Sequence, residues 1–330
     1  MSVVRWGILS TARIGREQVI PAINRSKLAE VAAIASGRET VKEVAAELNI
    51  PKTYSTYEEL LADPEIDAVY IPLPNHLHKQ WVIEAAKHGK HVLCEKPATL
   101  DSDDTAEMTA ICRQNDVKFM EAFMYQFHPM NQRVKEIIAS GEIGDIKIVR
   151  SSFSFYLSDR ETNIRMKKEM GGGALYDIGC YCIHAIRTVT GSEPERLKAS
   201  ANICPESGVD LTTTVQMTLE NGIQAIFDCS FDMYGGQFYE VVGTKGKIRV
   251  PYAFRPDQHG NGEGIVIIES NHEERTETFP ADIYVLEIDH LSGAIIEDKD
   301  PIYTGEQAVL NMRVIEACLE AIESGKEVVL

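Results

Sequence analysis

The chain has 330 residues, 44% of them apolar and 25% charged, a composition typical of a globular protein large enough for two domains. Its 33 Lys and Arg residues and 50 Asp and Glu residues give a net charge of −17 without a compact basic tract, which argues against a nucleic-acid partner. No stretch reaches the ~20 apolar residues of a membrane span. The first residues lack a signal-peptide pattern, so we expect a cytoplasmic protein with no membrane partner.

Strand and helix patterns alternate along the first part of the chain. Apolar runs predict strands over residues 3–9, 31–35, 68–71, 91–94 and 118–122. Helical periodicity predicts helices over residues 41–48, 81–88 and 105–114. Near-continuous apolar strands separated by helices are typical of a parallel sheet covered on both faces. We therefore predict an α/β domain with a doubly wound parallel sheet over residues 1–125.

The pattern changes after residue 128. A helix is predicted over residues 131–140 and a long strand over residues 146–155. Further strands, joined by short turns, are predicted over residues 213–219, 224–231, 238–242, 247–250, 264–268 and 275–279. Helices over residues 283–297 and 307–324 complete the chain. We predict an α+β domain over residues 126–330 with a large, mainly antiparallel open sheet, whose uncovered face would favour a homodimer or homotetramer.

The loop after the first predicted strand resembles a degenerate dinucleotide-binding motif. In Gly7-Ile-Leu-Ser10-Thr-Ala12-Arg-Ile-Gly15, Ser10 and Ala12 stand at the first two glycine positions of G-x-G-x-x-G. Small residues still allow a pyrophosphate to approach the backbone at a helix N-terminus. The predicted cofactor contacts in this loop are Ser10, Thr11, Ala12, Arg13 and Ile14.

The end of the second predicted strand indicates which cofactor is used. An Asp or Glu there would bind the ribose 2′-hydroxyl of NAD. This chain has Ser36 and Arg38 instead, which suit a 2′-phosphate that a carboxylate would repel. NADP is therefore predicted in preference to NAD, with a surface loop charge as the alternative interpretation of Arg38.

The segment Pro72-Leu-Pro74-Asn75-His76-Leu-His78 follows the third predicted strand. Asn75 is a candidate cofactor contact, and simple capping of the next helix is the alternative. The two histidines are not expected to bind a metal ion, because no carboxylate or cysteine lies at ligand spacing nearby.

Lys96, in Glu95-Lys96-Pro97, is a candidate catalytic residue. Most lysines are solvated surface residues, but this one follows an apolar run at the predicted carboxyl end of a strand. Ligands of parallel sheets bind beyond those ends.

A glycine-rich segment carries the second candidate group: Gly171-Gly-Gly-Ala-Leu-Tyr-Asp177-Ile-Gly179-Cys-Tyr181-Cys-Ile-His184. A helix would place Asp177, Tyr181 and His184 on one face, at i, i+4 and i+7. A lysine beside a tyrosine can form a proton-transfer pair, because the ammonium stabilises the phenolate. His184 fits a packed helix residue equally well.

Seven cysteines are scattered along the chain without a Cys-x-x-Cys pair. This spacing argues against a zinc ribbon or a thioredoxin-type site, so reduced and mostly buried thiols are expected. Cys180 and Cys182 lie beside the candidate residues, but a helical turn would direct them away from Asp177 and Tyr181.

Four motifs, in this order, resemble those of the Gfo/Idh/MocA family, the relatives of glucose–fructose oxidoreductase and inositol dehydrogenase. They are Trp6-Gly-Ile-Leu-Ser-Thr-Ala-Arg-Ile-Gly15, Pro74-Asn75-x-x-His78, Glu95-Lys96-Pro97 and Gly171-Gly-Gly-Ala-Leu-x-Asp177. The resemblance covers essentially the whole chain. It implies a Rossmann domain over residues 1–125 and a substrate-binding and oligomerisation domain over residues 126–330. Tyr181, where many members have histidine, is similar to the branch of dimeric dihydrodiol dehydrogenase and NADP-dependent D-xylose dehydrogenase.

The resemblance also implies roles for individual residues. Lys96 would act near the reacting hydroxyl and the nicotinamide, Tyr181 would transfer the proton, and Asp177 would position the pair. The implied cofactor contacts are Pro72, Asn75, His78, Glu95 and Lys96. The candidate substrate contacts are Arg165, Asp177 and His184, with Asn163, which like Arg165 lies just upstream of the three glycines, as a further candidate. For Asn163 and Arg165 the alternative is an exposed polar loop.

The predicted function is an NADP-dependent oxidoreductase. It would transfer hydride between nicotinamide and a secondary alcohol, hemiacetal or carbonyl of a small sugar, polyol or cyclic diol. One alternative is a dinucleotide-binding sensor without turnover. The other is an enzyme in which NAD(P) stays bound and is recycled.

Overall fold

The computed structural model of the protein describes residues 3–259 and 262–330. The chain forms two compact units. The first contains Met1–Met124 and Ile283–Leu310, and the second contains Tyr125–Asp282 and Asn311–Leu330. The predicted boundary at residue 125 lies between the first segments of the two units, but residues 283–310 return to the first unit.

The first unit is built on a parallel sheet of six strands in the order β3-β2-β1-β4-β5-β6. The strands are β1 (Val4–Leu9), β2 (Ala29–Ala35), β3 (Lys52–Tyr54), β4 (Ala68–Ile71), β5 (His91–Cys94) and β6 (Phe119–Glu121). The inner strand β4 is buried along its whole length, as expected for a parallel sheet covered on both faces. The predicted doubly wound parallel sheet is confirmed.

Five helices connect these strands: α1 (Ile20–Arg25), α2 (Val41–Glu47), α3 (Tyr57–Leu61), α4 (His78–Lys87) and α5 (Ser102–Gln114). The predicted helices over residues 41–48, 81–88 and 105–114 correspond to α2, α4 and α5. The sequence patterns do not predict β3 and α3, which have three and five residues and are too short for a clear period. A capping box at Thr56 and Glu59 begins α3.

The second unit contains a nine-stranded sheet in the order β14-β13-β12-β11-β7-β10-β9-β8-β15. Its strands are β7 (Ile146–Tyr156), β8 (Pro194–Ile203), β9 (Asp210–Leu219), β10 (Gln224–Ser230), β11 (Asp232–Gly243), β12 (Gly246–Pro251), β13 (Glu263–Ser270), β14 (Glu273–Pro280) and β15 (Val328–Val329). Strands β7 and β10 pair in parallel, and the other neighbouring pairs are antiparallel. The predicted mainly antiparallel sheet is confirmed, although the sequence patterns do not predict β8 and β15.

Two helices, α6 (Pro129–Ala139) and α7 (Cys180–Thr190), belong to the second unit, and α7 packs on β7 and β10. Large apolar side chains elsewhere on this sheet remain in solvent. Tyr156 on β7 is 65% exposed, and Tyr234 and Phe238 on β11 are 96% and 42% exposed. Part of the sheet surface is therefore uncovered within the described chain.

The helices α8 (Ile283–Ile296) and α9 (Gly305–Ser324) follow the second sheet. Helix α8 packs on α1, β1 and β2 of the first unit. The indole N–H of Trp6 donates to Ser292 Oγ at 3.2 Å, and Ser26 Oγ donates to Asp289 at 2.5 Å. These contacts explain why residues 283–310 belong to the first unit, whereas a boundary drawn from the pattern of strands assigns them to the second.

Within residues 3–259 and 262–330, no helix combines the length and the apolar composition needed to span a bilayer.

Candidate active site

The residues predicted to bind the cofactor lie at one edge of the parallel sheet. They follow β1, β2, β4 and β5, whose carboxyl ends point the same way. The connection order reverses between β1 and β4, and ligands of such sheets bind in the crevice at this switch point.

Ser10 begins the loop after β1 with a φ angle of 101°, in the region that favours glycine. Its N–H donates to the carbonyl of Ala35 at 2.8 Å. Its hydroxyl donates to the carbonyl of Pro72 at 3.3 Å and accepts the N–H of Ala12 at 3.2 Å. The hydroxyl therefore joins the loops after β1 and β4, a role that a glycine could not fill.

The residues after Ser10 lead into a helix that begins with a π-helical segment over Gly15–Val19 and continues as α1. Thr11, Ala12 and Ile14 are half-buried and Arg13 is exposed. The first N–H groups of a helix have no acceptor within the helix and bind phosphate oxygens readily. This loop therefore fits the predicted pyrophosphate contacts.

Ser36 and Arg38 follow β2. Ser36 is buried, and its hydroxyl accepts the N–H of Arg38 at 3.2 Å. The Arg38 side chain is exposed. Burial raises the pKa of Tyr57, and the positive charge of Arg38 partly offsets this rise. A hydroxyl and an accessible guanidinium at this position suit a 2′-phosphate.

The His78 ring is packed between two backbone segments of the first unit. It is fully buried, with Nε2 at 2.7 Å from the carbonyl oxygen of Leu73 and Nδ1 at 3.0 Å from that of Pro97. Burial lowers its pKa to about 4, so the ring is neutral at pH 7 and donates its single N–H to one of these two carbonyls. His78 ties the loop after β4 to the segment that follows Lys96. Asn75 opens a short 3-10 turn, and α4 begins at His78 with Leu77 at its N-cap, so Asn75 does not cap α4.

Lys96 follows β5 and is half-buried, as is Glu95. The hydroxyl of Tyr70 donates to Glu95 Oε1 at 2.6 Å, and the N–H of Ala98 donates to Glu121 Oε1 at 2.8 Å. Contacts on both sides thus hold the backbone that carries Lys96.

Glu287 on α8 is a buried acid that the sequence reasoning missed. Burial and the nearby Glu95 carboxylate raise its pKa well above the ordinary value. Glu95 and Glu287 also add to the rise that burial imposes on the pKa of Tyr70. The only sequence signal is a carboxylate among the buried apolar residues of α8, such as Ile283, Ile288 and Leu291.

Backbone conformation and close packing explain why glycine occurs at all three positions 171–173. Gly171 and Gly173 have φ angles of 77° and 114°, which strain other residues. A Cβ on Gly172 would overlap the backbone of Arg165 and Lys167. The N–H of Gly173 donates to the carbonyl of Arg165 at 2.9 Å, so the glycines allow the Arg165 loop to pack closely.

The helix that carries Asp177 and Tyr181 begins with a π-helical segment over Leu175–Gly179 and continues as α7. The predicted helix through Asp177, Tyr181 and His184 is present, but its first turn has the longer π-helical period instead of 3.6 residues per turn. Such π-helical segments are frequent at functional sites.

Asp177 forms an ion pair with Arg165, whose Nε donates to Oδ2 at 2.5 Å. The guanidinium also lies over the ring of Phe155, 5.8 Å from its centroid. Asn163 caps the preceding turn, with Oδ1 accepting the N–H of Arg165 at 3.1 Å. The structure thus brings together two of the predicted substrate contacts, Arg165 and Asp177, and gives Asn163 a local capping contact.

Tyr181 is 5% exposed and packs in an aromatic cluster with Tyr125, Phe153 and Phe254, at centroid distances of 5.8, 5.4 and 5.5 Å. His184 is fully enclosed nearby, with Nδ1 at 2.6 Å from the Tyr125 hydroxyl. Burial lowers the pKa of His184 well below its ordinary range. This environment favours the packed role of His184 over a substrate contact.

Cysteines and possible metal ligands do not form a further centre in the described chain. All seven cysteines are buried and none is in a disulfide. Residues 3–259 and 262–330 contain no group of three or more His, Cys, Asp or Glu side chains placed to hold a metal ion.

Comparison with known proteins decides the family. Residues 4–123 match the family model "Oxidoreductase family, NAD-binding Rossmann fold", and residues 131–249 match "GFO/IDH/MocA C-terminal domain". The chain belongs to the Gfo/Idh/MocA family of oxidoreductases.

Two curated Gfo/Idh/MocA relatives illustrate how much of the chain is shared. D-xylose 1-dehydrogenase (NADP(+)) 2 of Haloferax volcanii is 41% identical over 98% of this chain and 99% of its own. Trans-1,2-dihydrobenzene-1,2-diol dehydrogenase of Xenopus laevis is 36% identical over 75% of both chains.

Solved structures show the same architecture. The aldose-aldose oxidoreductase of Caulobacter crescentus, complexed with glycerol, is 26% identical, with a TM-score of 0.92 over 99% of this chain and 100% of its own. KijD10, a 3-ketoreductase from Actinomadura kijaniata in complex with NADP and TDP-benzene, is 28% identical, with a TM-score of 0.91 over 97% and 98% of the two chains. The predicted Gfo/Idh/MocA membership and two-sheet fold are confirmed.

Proposed function

We propose that this protein is an NADP-dependent dehydrogenase or reductase. It transfers hydride between nicotinamide and a secondary alcohol, hemiacetal or carbonyl of a small sugar, polyol or cyclic diol. The observation that carries the proposal is the full-length similarity to the NADP-dependent D-xylose dehydrogenase of Haloferax volcanii. The candidate residues supply the chemistry that such a reaction needs.

The residues after β1 and β2 fit NADP. The exposed Arg38 and the Ser36 hydroxyl would bind the 2′-phosphate, and the backbone of residues 11–14 would bind the pyrophosphate. Pro72, Asn75 and Glu95, at the ends of β4 and β5, are the remaining proposed contacts, while buried His78 would act by holding these loops. When bound, NADP(H) supplies the hydride acceptor or donor.

Tyr181 is the proposed general acid–base. In oxidation its phenolate would take the proton of the substrate hydroxyl, and in reduction its phenol would return it. Lys96 is proposed to stabilise the phenolate by its positive charge and to orient the reacting oxygen. Asp177 would bind a second substrate hydroxyl.

An uncharged substrate fits the ion pair that Arg165 forms with Asp177, four residues before Tyr181. The guanidinium of Arg165 is already paired with the Asp177 carboxylate at 2.5 Å, so the pair has no net charge. A substrate carboxylate or phosphate would have to compete with Asp177 for that cation. Hydroxyl groups can instead accept from the guanidinium and donate to the carboxylate. We therefore favour a free sugar, polyol or diol over a phosphorylated or nucleotide-linked sugar.

A second candidate function is the internal recycling of a retained cofactor. The similarity to the aldose-aldose oxidoreductase of Caulobacter crescentus favours it. NADP that copurifies in stoichiometric amount and resists dialysis would support recycling, whereas readily exchanged NADP would support a dehydrogenase. A sensor without turnover would bind NADP but give no reaction with any substrate.

The first experiment is an absorbance assay at 340 nm. NADP and NAD are each combined with pentoses, hexoses, inositols and trans-cyclohexanediol at alkaline pH. Turnover with NADP on one substrate group would support the dehydrogenase and identify its substrates. Calorimetric NADP binding without turnover on this panel would count against it.

We also propose a homodimer or homotetramer. Exposed aromatic residues on the second sheet, Tyr156 and Tyr234, would be covered in such an assembly. Light scattering should give a multiple of the 36.7 kDa chain mass, and Tyr234→Lys should reduce it. A monomer in the unaltered protein would contradict the proposal.

A cytoplasmic location is proposed from the seven buried cysteines, none of which is in a disulfide, as expected for a reducing compartment. Cell fractionation with an antibody to the protein would test it.

A further inference from the structure

Asp210, the first residue of β9, is a buried carboxylate that the proposed reaction does not use. The residue is 6% exposed. Its Oδ2 accepts the hydroxyl of Thr213 at 2.7 Å and the backbone N–H of Leu175 at 2.8 Å. Burial raises the pKa values of two thiols, of Cys229 on β10 and Cys318 on α9, and the charge of Asp210 adds to both rises.

The contact with Leu175 places this carboxylate at the start of the helix that carries Asp177 and Tyr181. Leu175 is the first residue of the π-helical segment, and N–H groups in the first turn of a helix lack acceptors within it. A carboxylate there satisfies one such donor and interacts favourably with the positive end of the helix dipole.

The glycine-rich segment is shaped around the same carboxylate. A Cβ on Gly173 would overlap Oδ1 of Asp210, and Gly173 has a φ angle of 114°. The side chain of Asp210 therefore occupies the space that the missing side chain of Gly173 leaves. Gly173 and Asp210 together fix where the helix begins.

Other contacts hold the same helix further along. The side-chain amide of Asn311 donates to the carbonyl of Cys180 at 3.3 Å, and the guanidinium of Arg187 pairs with Glu193 at 2.5 Å. These contacts lie at or beyond Cys180, whereas Asp210 acts before Asp177. Asp177 also pairs with Arg165 and Tyr181 packs in its aromatic cluster, so Asp210 adds the contact that holds the residue at which the first turn begins.

We propose that Asp210 is a positioning residue for the reaction. By holding the N–H of Leu175, it sets the first turn of the helix and so fixes the Tyr181 hydroxyl where it exchanges the substrate proton. The inference rests on the proposed function, because it assumes that Tyr181 transfers that proton.

The test is a double-mutant cycle with Asp210→Asn and Tyr181→Phe. Asparagine keeps the shape of the side chain and can still accept the N–H of Leu175, but it removes the negative charge that strengthens this hydrogen bond and favours the helix start. Alone, Asp210→Asn should lower kcat about tenfold and leave the KM for NADP within about twofold. In the Tyr181→Phe background it should change the residual kcat by less than about twofold, because a residue that acts only through Tyr181 has nothing left to position.

The matched control is Asp228→Asn. Asp228 lies on the neighbouring strand β10, and its carboxylate accepts the hydroxyl of Ser152 at 2.7 Å. This variant should leave kcat within about twofold of the unaltered enzyme. If Asp210→Asn does not fold, Thr213→Val replaces it in the cycle, because it removes one of the two hydrogen bonds to Oδ2. It should lower kcat about threefold with Tyr181 present and have no effect without it.

Two outcomes would overturn the inference. Either kcat is unchanged in Asp210→Asn, or the variant loses the same factor with and without the Tyr181 hydroxyl. A fully active Tyr181→Phe enzyme would instead overturn the proposed function of Tyr181, and the inference with it. A nearly inactive Tyr181→Phe enzyme beside a fully active Asp210→Asn enzyme would reject the role of Asp210 alone.

Discussion

In the aromatic cluster, only Tyr181 and Tyr125 carry a hydroxyl group. Replacing either by phenylalanine therefore separates the chemical role of the hydroxyl from the packing of the ring. Tyr181→Phe keeps the ring against Phe153 and Phe254 but removes the proposed acid–base group. We expect kcat to fall ~10²–10⁴-fold, the usual size of a general acid–base contribution, with NADP affinity unchanged in calorimetry.

A matched control is Tyr125→Phe, which removes the hydroxyl that contacts His184 in the same cluster. We expect it to lower stability by about 1 kcal/mol, through the lost hydrogen bond, with kcat within a few-fold. An active Tyr181→Phe enzyme, or equal losses of kcat in the two variants, would contradict the acid–base assignment.

Arg38 is expected to set the cofactor preference. Arg38→Ala should raise the KM for NADP by more than about tenfold and that for NAD by less than about twofold, because only NADP has the 2′-phosphate. Steady-state kinetics with both cofactors measures the ratio. Arg16→Ala is a suitable control, since this arginine, in the helical segment between β1 and β2, pairs with Glu47. Equal changes with the two cofactors would favour the interpretation of Arg38 as a surface charge.

At the scale of single elements, two glycines with positive φ angles can be compared. Gly173 lies in the glycine-rich turn before Asp177, and Gly191 follows the last residue of α7. Gly173 has a φ angle of 114° and no room for a Cβ beside Asp210, whereas Gly191 has a φ angle of 61° and open space around it. Gly191→Ala should lower the free energy of unfolding by about 1 kcal/mol, from backbone conformation alone.

Gly173→Ala should cost more, about 3 kcal/mol, because the overlap adds to the strain, and it should also lower kcat. Chemical denaturation and steady-state kinetics measure both effects. Equal destabilisation in the two variants would show that the space beside Asp210 is not tightly defined.

Comparing single strands with their predicted limits indicates how much of the fold could be predicted from the sequence. Strands β4 and β5 have the predicted limits because a buried parallel strand is an apolar run with sharp ends. The Rossmann topology and the loops that carry Ser10, Ser36 and Lys96 follow from such runs. Short elements such as β3 are set by their neighbours rather than by their own period.

The residues of the candidate site likewise fall into those that the sequence predicts and those that it does not. Residues in motifs, such as Lys96 and Tyr181, are visible in the sequence because their spacing is local. Asp210 and Glu287 are not visible in this way, since each meets its partners only through long-range packing. Asp210 reaches Leu175 from strand β9, and Glu287 on α8 lies near Glu95 and Tyr70. Likewise, the contact of His184 with Tyr125 joins residues 59 positions apart.

For the whole molecule, buried histidines predict a loss of stability in mild acid. Burial lowers the pKa values of His78 and His128 from 6.5 to about 4. The unfolded chain therefore takes up protons first, so the stabilisation is complete above pH 6.5 and is lost as the pH falls towards 4. Each histidine contributes about 3 kcal/mol at most.

Asp210 acts in the opposite sense, because burial raises its pKa from 3.8 to about 6 and the folded state binds that proton first. His184 acts in the same direction as His78 and His128, and Glu287, whose pKa burial also raises, acts in the same direction as Asp210. Three buried histidines outweigh two buried acids, so the thermal midpoint measured by circular dichroism should fall between pH 6.5 and pH 4.5. His128→Asn should reduce this slope, since an asparagine can still accept the N–H of Met130 but does not titrate. A flat or rising midpoint in the unaltered protein would contradict the prediction.

The return of residues 283–310 to the first unit has a consequence for synthesis on the ribosome. Trp6 and Ser26 meet their partners Ser292 and Asp289 only after strands β7 to β14 of the second sheet have been translated. From residue 125 to residue 310 is 310 − 125 = 185 residues, or about 10–40 s at ordinary elongation rates. During this interval the nascent parallel sheet lacks the helix that covers β1 and β2, and we expect it to be a client of chaperones that bind exposed apolar surface.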